Sequence, residues 1–117
     1  MEYTGRTVEK PWGYEIIWAE TETYVAKILC IYTGRRLSRQ YHVKKDETIR
    51  VRAGRLELTI GTDNGDQTIE MTVGEGYHIR PGTVHRMKAL EFCLVDEVST
   101  PELDDVVRLE DDYKRAE

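Results

Sequence analysis

An all-β fold, a barrel or jelly roll, is what this chain of 117 residues predicts, and three observations carry that expectation. Short runs of alternating apolar and polar residues recur along the chain, glycine-bearing turns separate them, and helical periodicity is almost absent. The length fills one barrel core and is too short for two, so residues 1–117 are read as one domain.

The elements follow in order. Residues 8–18 begin as a turn around Pro11, Trp12 and Gly13 and continue from Tyr14 as a strand, expected at a sheet edge, with Trp12 as a core or lid residue. Residues 24–32 are nearly continuous apolar sequence broken by Lys27, which fits a strand between two sheets. Lys27 is read as a snorkelling surface lysine, with a cation in the barrel mouth as the alternative. Residues 49–60 alternate most cleanly. Glu47, Ile49, Val51 and Ala53 share one face and Thr48, Arg50 and Arg52 the other, so the register that buries Ile49 and Val51 also turns Glu47 inward. Leu56, Leu58 and Ile60 continue the alternation to a hairpin at residues 63–66 with Asn64-Gly65 at its tip, and Ile69, Met71 and Val73 carry it onward. Residues 92–98 are the last strand expected. Beyond Pro101 the chain turns acidic, and Leu103, Val106, Val107 and Leu109 are the apolar anchors of a C-terminal extension that packs back on the barrel.

The chemistry concentrates between Gly34 and Gly54. Gln40 and His42 lie two apart, so an extended strand sends both side chains from one face, Ser38 shares their parity, and Glu47 follows after a short polar connection. A second segment, residues 74–85, ends in a tight turn at Pro81-Gly82 and His85 just beyond it. Imidazole, carboxylate and amide oxygen donors suit a divalent ion such as Zn, Mn, Fe, Co or Ni, and no thiolate stands among them to select a softer one. An inward Glu47 is costly to bury alone, and a cation supplies its partner.

Composition excludes several classes. No apolar run approaches a membrane span or a secretory leader, so a soluble, cytoplasmic protein is expected. Cys30 and Cys93 lie in apolar runs without metal-knuckle spacing and are read as buried free thiols. The net charge is −5, but residues 27–55 hold nine Lys/Arg against two acids and residues 89–117 hold three against ten. Those halves neutralise one another, within the chain or across a homodimer, while the functional reading turns some cations toward an anionic small substrate. Nucleic acid is not expected, because the overall sign is wrong and aromatics do not alternate with the basic residues.

The spacing Gly-x5-Gln-x-His-x4-Glu-x6-Gly, followed by the glycine-bounded second segment, resembles the two cupin motifs, whose four polar positions hold a metal inside a small β-barrel. Gln40 in place of the first His resembles the phosphomannose isomerases in particular, and so do the phrase Lys10-Pro-Trp-Gly and the acidic ending around Arg108. The resemblance implies a cupin double-stranded β-helix and a divalent metal on Gln40, His42, Glu47 and His85. It further implies a sugar or sugar-phosphate substrate, whose aldose and ketose forms interconvert through an enediol of the mannose 6-phosphate/fructose 6-phosphate type. Arg108 matches an active-site arginine, without which it would read as a surface salt-bridge former, and Lys45 matches a basic position before the ligand Glu. Ser38, His78 and Arg80 are further candidates for substrate contact. Departures are Val43 and Lys44 where further histidines are usual, Arg80 in place of a proline, and the usual nucleotidyltransferase partner domain, which this sequence lacks. The rival readings are a metal-dependent cupin oxygenase and a non-catalytic sugar-binding module.

Overall fold

A computed structural model describes residues 1–115, in which the chain forms eleven strands. These are β1 (Arg6–Lys10), β2 (Gly13–Glu20), β3 (Val25–Ile31), β4 (Arg39–Tyr41), β5 (Glu47–Ala53), β6 (Leu56–Thr62), β7 (Gly65–Met71), β8 (Gly76–Ile79), β9 (His85–Ala89), β10 (Cys93–Ser99) and β11 (Val107–Glu110). Residues 116 and 117, the end of the acidic extension, lie outside the described residues. Among the described residues no helix is long and apolar enough to cross a membrane.

Two antiparallel sheets face each other as the expected jelly roll, one in the order β1-β2-β3-β10-β5-β8 and the other β11-β4-β9-β6-β7. Alternation decides which side chains enter. In β5, Glu47, Ile49 and Val51 are buried and Thr48, Arg50 and Arg52 exposed, as the pattern predicts. Along β5, β10 and β3 the inward row changes from polar to apolar: Glu47 gives way to Ile49 and Val51, Glu97 to Val95 and Cys93, Lys27 to Leu29 and Ile31. The apolar ends meet Leu56, Leu58, Ile79, Met87 and Ala89 in one core, and the polar ends are left to build a site. At the apolar end Gly54 turns β5 into β6 with φ +84, and a Cβ there would collide with the Phe92 carbonyl.

Several local expectations change. The sheet edge is β1, which starts at Arg6, and Trp12 sits 3% exposed in the turn that follows it, as a core residue. The hairpin loop is Asp63-Asn64, with Gly65 opening β7 at φ +100, because a positive φ after the loop is least costly at glycine. Val73 is exposed in a turn, the strand near residue 92 starts at Cys93, and it is not the last. The acidic extension contributes β11, paired antiparallel to β4. Cys30 and Cys93 are buried free thiols.

Candidate metal centre

Neighbouring strands set the first two donors. Gln40 in β4 lies opposite His85 in β9, and His42 follows one residue past the end of β4. Glu47 opens β5 on the facing sheet, after a connection whose backbone is pinned by one carboxylate: Asp105 accepts hydrogen bonds from the amides of Val43, Lys44 and Lys45 at 3.0, 2.6 and 2.8 Å. Across the gap, Glu47 Oε1 lies 3.6 Å from His42 Nε2 and 3.4 Å from His85 Nε2, and donor atoms of the three residues all fall within 4.8 Å of one another. All three side chains are buried.

The outward nitrogens are fixed by the backbone. His42 Nδ1 bonds the Asp105 carbonyl and His85 Nδ1 bonds the Thr83 carbonyl at 2.8 Å. A carbonyl only accepts, so each Nδ1 carries the proton, and in a neutral ring Nε2 then presents a lone pair. Two lone pairs and a carboxylate oxygen therefore converge on one point. That set is repulsive by itself and complementary to a divalent cation, which makes these residues fit a metal. Gln40 lines the same pocket, with its Nε2 3.5 Å from the Ser38 carbonyl, an arrangement that leaves the amide oxygen as its donor toward an ion.

Around this centre the charges alternate. Lys45 Nζ stands 3.0 Å from Glu47 Oε2, as an ion pair outside hydrogen-bond alignment, and donates to Glu97 Oε2 at 3.1 Å. Glu97 meets Lys27 at 3.5 Å, and Lys27 bonds Glu15 at 3.2 Å. Burial disfavours the Lys45 ammonium, yet Glu97 and Glu47 outweigh it and raise its pKa above the ordinary lysine value. Burial likewise opposes the Glu47 carboxylate, and its setting beside His42, His85 and the Lys45 charge still holds it well below the usual carboxylate range.

The predicted residues divide. Ser38, Gln40, His42, Lys45, Glu47, His85 and Arg108 all line one pocket, Arg108 arriving on β11 in register with Gln40. Ser38 is 1% exposed, and its hydroxyl makes no hydrogen bond among the described residues, so it is available to a ligand. His78 and Arg80 do not join them, and both expectations are corrected. Ile79 takes the inward position opposite Glu47, so the pleat turns His78 and Arg80 outward; both are exposed, and His78 bonds Asp46 at 2.6 Å. Lys27 is likewise no surface lysine, being buried on the pocket wall. The sequence reading missed Glu15, Glu97 and Arg115 as lining residues. Parity held the signal for two: Glu97 shares a face with Val95, and Glu15 with Ile17.

A family model described as mannose-6-phosphate isomerase C-terminal matches residues 2–111. The chain belongs to this family. Within curated proteins, the chain is 31% identical over 115 residues to the xanthan biosynthesis protein XanB of Xanthomonas campestris pv. campestris strain B100, and 30% identical to that of strain ATCC 33913. Each alignment covers 94% of this chain and 24% of the relative, so the chain spans about a quarter of the length of the curated relatives it matches. Among solved structures, KdgF from Halomonas sp. superposes with a TM-score of 0.74 at 22% identity, over 87% of this chain and 91% of that one. The capsular polysaccharide assembling protein CapF from Staphylococcus aureus gives 0.73 at 20% identity, over 93% and 35%. Oxalate decarboxylase from Bacillus subtilis gives 0.76 at 16% identity, over 90% and 30%. With them this member of the isomerase C-terminal family shares the all-β cupin fold.

Proposed function

We propose that this chain is a metal-dependent sugar-phosphate isomerase, interconverting an aldose phosphate and its ketose in the manner of mannose 6-phosphate and fructose 6-phosphate. One observation carries the reading: two backbone-fixed imidazoles and a buried carboxylate aim at one point, in a pocket that also holds Gln40, Lys45 and Arg108. Family membership supports the reaction class. The relatives' description as xanthan biosynthesis proteins agrees with a sugar substrate.

Gln40, His42, Glu47 and His85 would hold the divalent ion, and when bound it would supply Lewis-acid polarisation of the sugar oxygens at C1 and C2. Lys45, kept charged by Glu97 and Glu47, donates to a substrate oxygen as negative charge develops there. Arg108, across from Gln40, faces the same charge or the substrate's anionic group. The Ser38 hydroxyl gives a further hydrogen bond from the pocket wall.

The test is direct. Metal-loaded protein given mannose 6-phosphate should produce fructose 6-phosphate and exchange the C2 hydrogen with solvent deuterium. Absence of C2 exchange with every hexose and pentose phosphate tried refutes the reading. Oxygen uptake in an electrode would move the chain to the oxygenases instead.

A further inference from the structure

Isomerisation through an enediol needs a group that takes a proton from one carbon and returns it to the next, and the pocket lining limits what that group can be. The lining arginines are cationic donors, and the lining lysines are ammoniums paired with carboxylates. The Ser38 hydroxyl and the Gln40 amide are too weakly basic. His42 and His85 turn Nε2, and Glu47 turns Oε1, toward the point an ion would fill. Among the described residues two lining carboxylates are left, Glu15 and Glu97.

Their surroundings separate them. Glu15 is engaged at both oxygens, by Lys27 Nζ at 3.2 Å and Lys10 Nζ at 4.0 Å, and Lys27 stands between it and Glu97. Glu97 enters from β10 opposite Lys27 of β3 and Ile49 of β5, one inward position beyond Glu47, and is 4% exposed. Every hydrogen bond and ion pair it makes among the described residues falls on Oε2, from Lys45 Nζ at 3.1 Å and Lys27 Nζ at 3.5 Å. Two ammoniums thus clamp one oxygen and leave Oε1 to the pocket. Lys45 Nζ is also 3.0 Å from Glu47 Oε2, so a single ammonium separates Glu97 from the donor triad. We propose that Glu97 is the catalytic base, an assignment that rests on the isomerase reading of this pocket. Its Oε1 takes the C2 hydrogen of the aldose phosphate as a proton. The C–H electron pair becomes the C1=C2 bond, and the C1 carbonyl pair moves onto O1. The O2 proton then passes to O1, the C2 carbonyl forms, and Glu97 returns its proton to C1. The carboxylate is regenerated, and no oxidant or co-reactant is consumed.

Glu97→Gln tests this, since the amide oxygen still accepts from Lys45 but takes no proton. In metal-loaded full chain given mannose 6-phosphate, kcat should fall about 1,000-fold and KM should stay within about threefold of wild type. Circular dichroism, metal content and calorimetric binding of a non-isomerising hexitol 6-phosphate should be unchanged. Glu97→Ala leaves Lys27 and Lys45 around a carboxylate-sized gap, and added formate should raise its rate at least about tenfold. A Glu97→Gln variant that keeps kcat within about threefold of wild type overturns the assignment and leaves the isomerase reading standing. So does a slow Glu97→Ala that formate does not speed, the mark of a carboxylate that only orients Lys45. A wild type that converts no aldose phosphate removes the reading and this assignment together.

Discussion

Lys45 is the residue whose setting says most about its role. Held between Glu97 and Glu47 at 3.1 and 3.0 Å and raised in pKa, it stays an ammonium over the working pH range and serves as a donor. In the proposed isomerisation, Lys45→Met should lower turnover by about 100-fold or more while preserving the fold, because it would remove an oriented charge from the developing oxyanion. Steady-state rates beside a thermal melt check this. Asp105 acts from further out. Amide hydrogen bonds from Lys44 and Val43 lower its pKa from 3.8 to about 2, so the folded state gains stability from the ionised form at pH above about 4 and loses it as pH falls toward 2. Asp105→Asn should cost about 1–2 kcal/mol at neutral pH, and the difference from wild type should vanish near pH 2, as measured by denaturant titration across pH. At this scale the sequence exposed the candidate ligands and concealed their supports. Gln40, His42, Glu47 and His85 sit at motif spacing, whereas Asp105 reaches residues 43–45 across sixty positions of chain that no local pattern links. Lys27 was misread because lysines usually keep their charge in water, and its two buried carboxylate partners come from other strands.

Strands were legible where the pleat was clean. In β5 the burial of Ile49 and Val51 and the inward turn of Glu47 follow from one register. The same rule read through β8 would have excluded His78 and Arg80, since Ile79 must face in, yet periodicity in a four-residue strand is too short to phase by itself. β11 was hidden for another reason. Its residues Val107–Glu110 are half-buried or exposed and flanked by acids, so its strand identity comes from pairing with β4 and not from its own alternation. Turns carry a testable consequence: Gly54→Ala should destabilise by more than about 2 kcal/mol, since φ +84 and the Phe92 carbonyl both oppose a side chain there. A urea titration measures it.

As a whole molecule, the chain sets an apolar core at one end of its inner rows and a charged pocket at the other, and it places the donor triad where the sheets face each other. Metal should therefore stabilise the fold. An ion present at 100 times its dissociation constant should add about 2.7 kcal/mol, visible as a higher melting temperature that a chelator reverses. The central claim is that His42, Glu47 and His85, with Gln40, close on one cation, and metal stoichiometry tests it most directly. Purified protein exposed to Zn, Mn, Fe, Co or Ni and then desalted should retain about one ion per chain by mass spectrometric metal analysis. The His42→Ala/His85→Ala variant should retain almost none while keeping its β-sheet circular dichroism. Equal occupancy in the wild type and that double variant would contradict the account.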